Sequence, residues 1–251
     1  MKIIRFTKEG TTRFGVVKEN RILEVEGDIF GEYKTTLIEH RSTEIRFLPP
    51  CSPTKIVGVG LNFRDHAAEM SKSLPEEPLL FMKPGTAAIG HEDKIIYPKQ
   101  MSSRVDYEGE LAAVIGKKAR CVNEDEAPSY IFGYTCINDV TARDLQAKDV
   151  QYTRAKGFDT FAPLGPAIET ELDPSDLQIS TFLNGERKQQ SRTSELIFNI
   201  PRLLSFISRV MTLLPGDIIA TGTPSGIGPM RSGDRVEVKI EGIGILRNYV
   251  E

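Results

Sequence analysis

Asp106-Tyr107-Glu108-Gly109-Glu110-Leu111 runs straight into an apolar stretch, residues 111–115, that stops at Gly116. A short apolar run bounded by glycine predicts a buried strand, in which alternate side chains share a face. Glu108 and Glu110 then point the same way with little room between them. Two adjacent anions repel unless a cation or a proton lies between them. A third acid, Asp139, follows a second apolar stretch, residues 130–137. It precedes a predicted helix start at Thr141-Ala142-Arg143-Asp144, whose spacing has the form of a capping box. Three carboxylates without His or Cys make an all-oxygen donor set. Such a set favours Mg²⁺, with Mn²⁺ or Ca²⁺ as alternatives, over zinc or copper. Glu-x-Glu by itself also describes a solvated strand face, so the surrounding sequence has to decide.

The 251 residues suit one large domain, or one with a small appendage. Hydrophobic residues at 39% and charged residues at 27% predict a folded core rather than disorder. The net charge of −3 gives no electrostatic case for nucleic acid. No stretch reaches the roughly 20 apolar residues that span a bilayer. Met1-Lys2-Ile3-Ile4-Arg5-Phe6 lacks the apolar core and cleavage site of a signal peptide. Cys51, Cys121 and Cys136 are odd in number and without metal-like spacing, so a reducing cytoplasm is expected. Cys136, inside an apolar run, reads as core.

Outward from the centre, residues 1–48 read as a small β domain of short strands at 3–6, 14–17 and 21–25, with no site in it. Pro49-Pro50 and Pro53 mark the boundary with a second domain, 49–251. Residues 55–60 predict a buried strand. Its Gly-x-Gly lacks the third glycine and long helix of a dinucleotide site. His66 and Glu69 then stand three apart, neighbours on a helix. A carboxylate beside an imidazole orients the ring and raises its basicity, as a general base requires, although any helix surface carries such pairs. Residues 71–78, with Lys72, Pro75 and Pro78, predict a mobile loop beside that pair. Lys83 ends a short strand before Pro84-Gly85, placed either to bind an anion or to face solvent.

Asn184-Gly185 between alternating residues predicts a type I′ hairpin over 179–189. Asn199 caps a helix with Pro201 in its first turn, and Ile200, Leu203, Leu204 and Ile207 form its core stripe. Residues 221–228 make a glycine-rich loop after the buried strand 218–220. Without Gly-Lys-Ser/Thr it is no nucleotide loop, but its N–H groups suit a substrate carboxylate. The chain from Asp234 alternates as a last strand pair. Neither a Gly-x-Ser-x-Gly elbow nor His-Glu-x-x-His occurs.

Several separate words coincide: Gly-Leu-Asn-Phe-Arg-Asp-His-Ala-Ala-Glu, Phe-Met-Lys-Pro-Gly-Thr-Ala, Asp-Tyr-Glu-Gly-Glu-Leu, Asn-Asp-Val-Thr-Ala-Arg-Asp, Arg-Ala-Lys-Gly-Phe-Asp and Thr-Gly-Thr-Pro-Ser-Gly-Ile-Gly. In this order, from about residue 50 to 251, they resemble the fumarylacetoacetate hydrolase family. The resemblance implies an α+β, mostly β fold, a mixed β-sandwich roll with a small N-terminal β domain, and a homodimer. It assigns Glu108, Glu110 and Asp139 to the metal and His66 with Glu69 to water activation. Lys156 lies at the substrate, Gln146 and Thr223 line it, and Lys83 and Arg104 are weaker carry-overs. The stretch after Glu69 matches a lid.

The expected function is a Mg²⁺-dependent hydrolase that cleaves a C–C bond in a small 2-oxo acid resembling an acylpyruvate. In that scheme His66 deprotonates a water and Lys156 stabilises negative charge. Decarboxylation or tautomerisation of oxaloacetate, and isomerisation of 2-hydroxyhepta-2,4-diene-1,7-dioate, are alternatives on the same site. A non-catalytic metal-binding protein is the alternative of another class.

Overall fold

The computed structural model describes residues 1–71 and 73–251. Among these residues the chain is mostly β, as expected, with three sheets and four short α-helices. The largest sheet has twelve strands. From one edge to the other it runs Tyr33–His40, Arg21–Gly27, Thr11–Lys18, Lys2–Lys8, Ala162–Glu169, Ile131–Asn138, Gly109–Ile115, Ile218–Ala220, Lys55–Gly60 and Leu79–Pro84. Arg46–Leu48 and Ala88–Ile89 pair off that path. The expected strands at 3–6, 14–17, 21–25, 55–60 and 218–220 all lie in this sheet. Its centre is Gly109–Ile115, buried at every position, which explains the unbroken apolar run.

A second sheet of five strands, Glu186–Arg192, Gln178–Leu183, Arg235–Ile240, Gly244–Val250 and Lys94–Ile95, stacks on the first. Leu111, Ala113, Cys136, Ile179, Val238 and Leu246 fill the layer between them. Asn184 (φ 53°) and Gly185 (φ 86°) both take the left-handed conformation that a type I′ hairpin requires. Helix Ile200–Val210 closes one end of this layer. Asn199 accepts from the N–H of Arg202, and Ile200, Leu203, Leu204 and Ile207 face inward. Cys136 is fully buried, and burial pushes its thiol up to about 12, so it is core as expected.

The third sheet is small: Thr141–Ala142, Val105–Tyr107 and Gly228–Met230. It corrects two expectations. The strand through Glu108 is not continuous. Val105–Tyr107 belongs to the small sheet and Gly109–Ile115 to the large one, with Glu108 at the crossing. Gly109 permits the crossing, because a Cβ there would sit 2.1 Å from Thr181 Oγ1. The capping box at Thr141 is not formed either. Thr141 is in a strand, its hydroxyl donates to the Asp139 carbonyl at 2.8 Å, and helix Arg143–Lys148 starts without a side-chain cap.

Candidate active site

The junction of the large and small sheets gathers the acids. The Glu108 N–H donates to Asn138 Oδ1 (2.9 Å), and the Asp139 N–H donates to the Glu108 carbonyl (2.8 Å). The backbone therefore sets the acids' positions before their side chains meet. Glu108, Glu110 and Asp139 are all buried, and each offers an oxygen within 4.8 Å of the others.

Three cations answer them unequally. Lys156 donates to Glu108 Oε2 (2.8 Å) and Asp139 Oδ2 (2.5 Å). Lys83 donates to Asp139 Oδ1 (2.5 Å) and the Val140 carbonyl (3.0 Å). Arg143 donates to Glu108 Oε1, to Asp106 Oδ2 (2.9 Å) and to Gln146 Oε1 (2.5 Å). Burial works against the charge of Glu108, but Lys156 and Arg143 outweigh it and hold its carboxyl well below the usual range. Glu110 receives only the Gly222 N–H, at 2.8 Å, and no basic side chain among the described residues. Burial first, then the charges of Asp139 and Glu108, raise its carboxyl well above the ordinary value. Lys156 goes the other way: burial would lower it, yet Asp139 and Glu108 raise it and keep it cationic. Three converging carboxylates, one lacking a cationic partner, fit a hard divalent ion.

His66 is on helix Arg64–Glu69, with Nδ1 2.9 Å from Glu69 Oε2. Glu69 Oε1 accepts from the Gly226 N–H (3.1 Å), so the pair is fixed to the glycine-rich loop. A cavity of about 330 Å³ is lined by His66, Glu108, Glu110, Gln146, Lys156 and Thr223, and also by Arg143 and Tyr152. Asp139 and Glu69 stand behind this lining and act on it through Lys156 and His66.

Other expectations need correction. Lys83 is wholly buried beneath Asp139, so it neither faces solvent nor lines the cavity. Arg104 is spent on Asp106 (2.9 Å) and lies outside the cavity lining. Thr223 lines the cavity, but its hydroxyl donates to the Gly109 carbonyl (3.0 Å) and accepts from Gln189 Nε2 (2.8 Å). The glycine-rich loop aims two N–H groups at Glu110 and Glu69 rather than at a ligand. The lid expected over residues 71–78 includes Lys72, which lies outside the described residues. Sequence reasoning gave no role to Arg143, Asn138, Gln189 or Tyr152. Arg143 was open to it, because Arg143 and Gln146 are three apart on a helix that starts beside Asp139.

The family model described as fumarylacetoacetate (FAA) hydrolase C-terminal matches residues 55–251, and one described as Rv2993c-like, N-terminal matches residues 1–50. A protein of Archaeoglobus fulgidus is 60% identical over 90% of this chain and 88% of its own length. Oxaloacetate tautomerase YisK of Bacillus subtilis is 41% identical, covering 83% of this chain and 74% of the relative. The crystal structure of a 5-carboxymethyl-2-hydroxymuconate delta-isomerase from Mycobacterium smegmatis superposes with a TM-score of 0.93 at 43% identity, covering 100% of this chain and 99% of that one.

Proposed function

The chain belongs to the fumarylacetoacetate hydrolase family, and on that premise we propose that it is a divalent-metal enzyme that moves a proton on a small 2-oxo diacid. The reaction is keto–enol tautomerisation of an acid such as oxaloacetate, or isomerisation of a longer conjugated one. The observation that carries this reading is a cavity lined by a base, two acids of the buried trio and two cations, with the third acid, Asp139, directly behind it.

Glu108, Glu110 and Asp139 would hold Mg²⁺, with Mn²⁺ or Ca²⁺ as alternatives. When bound, the ion supplies Lewis acidity toward carboxylate and 2-oxo oxygens. His66 has Nδ1 engaged by Glu69, which leaves Nε2 to take a proton from the carbon next to the keto group. His66 then returns that proton to oxygen in a tautomerase, or to a more distant carbon in an isomerase. Lys156 and Arg143 stabilise the charge that develops on substrate oxygen. The charges favour a diacid. In number, Lys156, Lys83 and Arg143 balance Glu108, Glu110 and Asp139, although their ion pairs within the trio reach only Glu108 and Asp139, and Arg104 balances Asp106. A divalent ion then leaves two positive charges for a substrate with two carboxylates.

The names of the similar tautomerase and isomerase support proton transfer. C–C hydrolysis of an acylpyruvate is the second reading, favoured by the His66–Glu69 pair, which suits water activation equally well. A homodimer and a cytoplasmic location belong to the proposal too. All three cysteines are free thiols, and no helix of the described residues is long and apolar enough to cross a membrane. The test follows enol-oxaloacetate by absorbance beside acetylpyruvate, with Mg²⁺ and with EDTA. Mg²⁺-dependent ketonisation without acetylpyruvate cleavage is expected. Faster acetylpyruvate cleavage would instead establish the hydrolase.

A further inference from the structure

A second cavity, about 730 Å³, adjoins the first and shares Leu79, Phe81 and Tyr152 with it. These shared side chains are the wall between the two. Phe81 is the fixed half. Its ring occupies the space where a Cβ on Gly58 would sit, 2.2 Å from Cζ, and Lys156 Nζ lies 4.7 Å from its centroid on the catalytic side. Tyr152 meets Phe81 edge-on, with centroids 6.0 Å apart and planes at 67°. It comes from a bend rather than a helix or strand, and its carbonyl accepts from the Lys156 N–H (2.9 Å). The Tyr152 side chain is therefore replaceable without losing that backbone bond.

Among the described residues the outer chamber has no acid or histidine in its lining, unlike the catalytic one. Leu80, Met82 and Val150 line it along with the shared residues and the uncharged polar Thr54, Gln151 and Thr153, and Val150 is 99% exposed. Its two lysines are both engaged, Lys55 by Asp217 (2.5 Å) and Lys83 by Asp139 (2.5 Å). Neither is left for a carboxylate.

We propose that Tyr152, braced on Phe81, sets the length of substrate this enzyme takes, and that the outer chamber is a latent subsite for an uncharged hydrocarbon tail. The inference rests on the proposed 2-oxo acid chemistry. Each methylene that enters an apolar subsite is worth about fourfold in affinity.

The test is enzyme-catalysed exchange of the C3 protons of 2-oxobutanoate, 2-oxohexanoate, 2-oxooctanoate and 2-oxoadipate in D₂O, read by NMR with Mg²⁺. Exchange by the unsubstituted protein is expected to fall with tail length. Tyr152→Ala, or Tyr152→Leu should alanine prevent folding, is expected to raise the 2-oxooctanoate to 2-oxobutanoate ratio at least about tenfold. It should do little for 2-oxoadipate, and adding Met82→Glu should remove the gain. An unchanged length profile with active protein overturns the inference. If no 2-oxo acid exchanges, the proposed function fails. Calorimetry of N-alkyloxamates with Mg²⁺ then decides the chamber by itself: affinity that rises with length in Tyr152→Ala upholds it, and flat affinity overturns it. If Val150→Asp splits an oligomer without altering the length profile, the chamber is an interface between copies and the inference is lost.

Discussion

Asp217 and Glu110 are both fully buried acids near the middle of the large sheet, yet the fold treats them oppositely. Asp217 accepts from Thr54 N (3.0 Å), Thr54 Oγ1 (2.7 Å), Lys55 N (3.2 Å), Lys55 Nζ (2.5 Å) and Leu214 N (2.8 Å). Burial disfavours its charge, but Lys55, Thr54 and Leu214 overcome that and depress its carboxyl. It ties together Ile218–Ala220 and Lys55–Gly60, the one parallel pair at that end of the sheet. Glu110 accepts a single N–H, and its carboxyl is raised. An acid that the chain satisfies completely serves the fold. One that it leaves short of partners is kept for something that arrives from outside.

Glu110→Gln should break the contrast most severely. Mg²⁺-dependent turnover should fall by about 10³-fold or more, because one oxygen of the trio loses its charge. Thermal unfolding in EDTA should show the variant no less stable than the parent, since the substitution removes a buried carboxyl without a cationic partner. A marked loss of stability in EDTA would place Glu110 with Asp217 among the structural acids. Asp217→Ala is the converse. It should cost about 3 kcal/mol in denaturant unfolding, leaving Lys55 and several N–H groups unpaired, while kcat/KM of the folded fraction holds.

The acid trio's side of this contrast could be read from the sequence, the role of Asp217 could not, and the unread parts have physical causes. Glu108, Glu110 and Asp139 were legible because a buried run beside two acids demands a counter-charge. The helix of His66 and Glu69 and the hairpin at Asn184-Gly185 follow from local rules and formed as expected. The break at Glu108 did not follow. Period-two reasoning carries a strand through Gly109, and only the approach of Thr181, 72 residues later in the chain, shows why the sheet changes there. The sequence leaves Lys83 open between an anion and solvent for a similar reason. A strand end does not decide between them, and the burial of Lys83 is set by pairing with Ile56 and by its ion pair with Asp139. Thr141 has the spacing of a cap, but its hydroxyl found the nearer Asp139 carbonyl.

The base should matter next. His66→Asn removes the proton acceptor but leaves the acid trio intact, so turnover should fall by about 10²-fold while Mg²⁺ affinity is retained. Glu69→Gln should cost less, because the ring keeps a hydrogen-bonding neighbour. Stopped-flow ketonisation with a parallel Mg²⁺ titration separates these effects. If His66→Asn lost Mg²⁺ binding instead, the histidine would belong with the acids rather than opposite them.

The gentlest probe of the comparison is pH, because the two acids carry opposite signs. Asp217 is depressed, so its stabilisation is present above the ordinary aspartate range and is lost as pH falls through its folded value. Glu110 is raised, so without metal its protonated form suits the fold below the ordinary glutamate range. That advantage is lost as pH climbs toward the raised value, because the unfolded chain has already ionised. A divalent ion has to displace that proton. Mg²⁺ affinity should therefore rise with pH, by at most about tenfold per unit for one proton, and level off above the folded value of Glu110. The gap in Tm between Mg²⁺ and EDTA should widen over the same interval, and Glu110→Gln should flatten it. A gap that stays constant with pH would mean that Glu110 is already ionised in the metal-free protein, with some cation other than Mg²⁺ answering it.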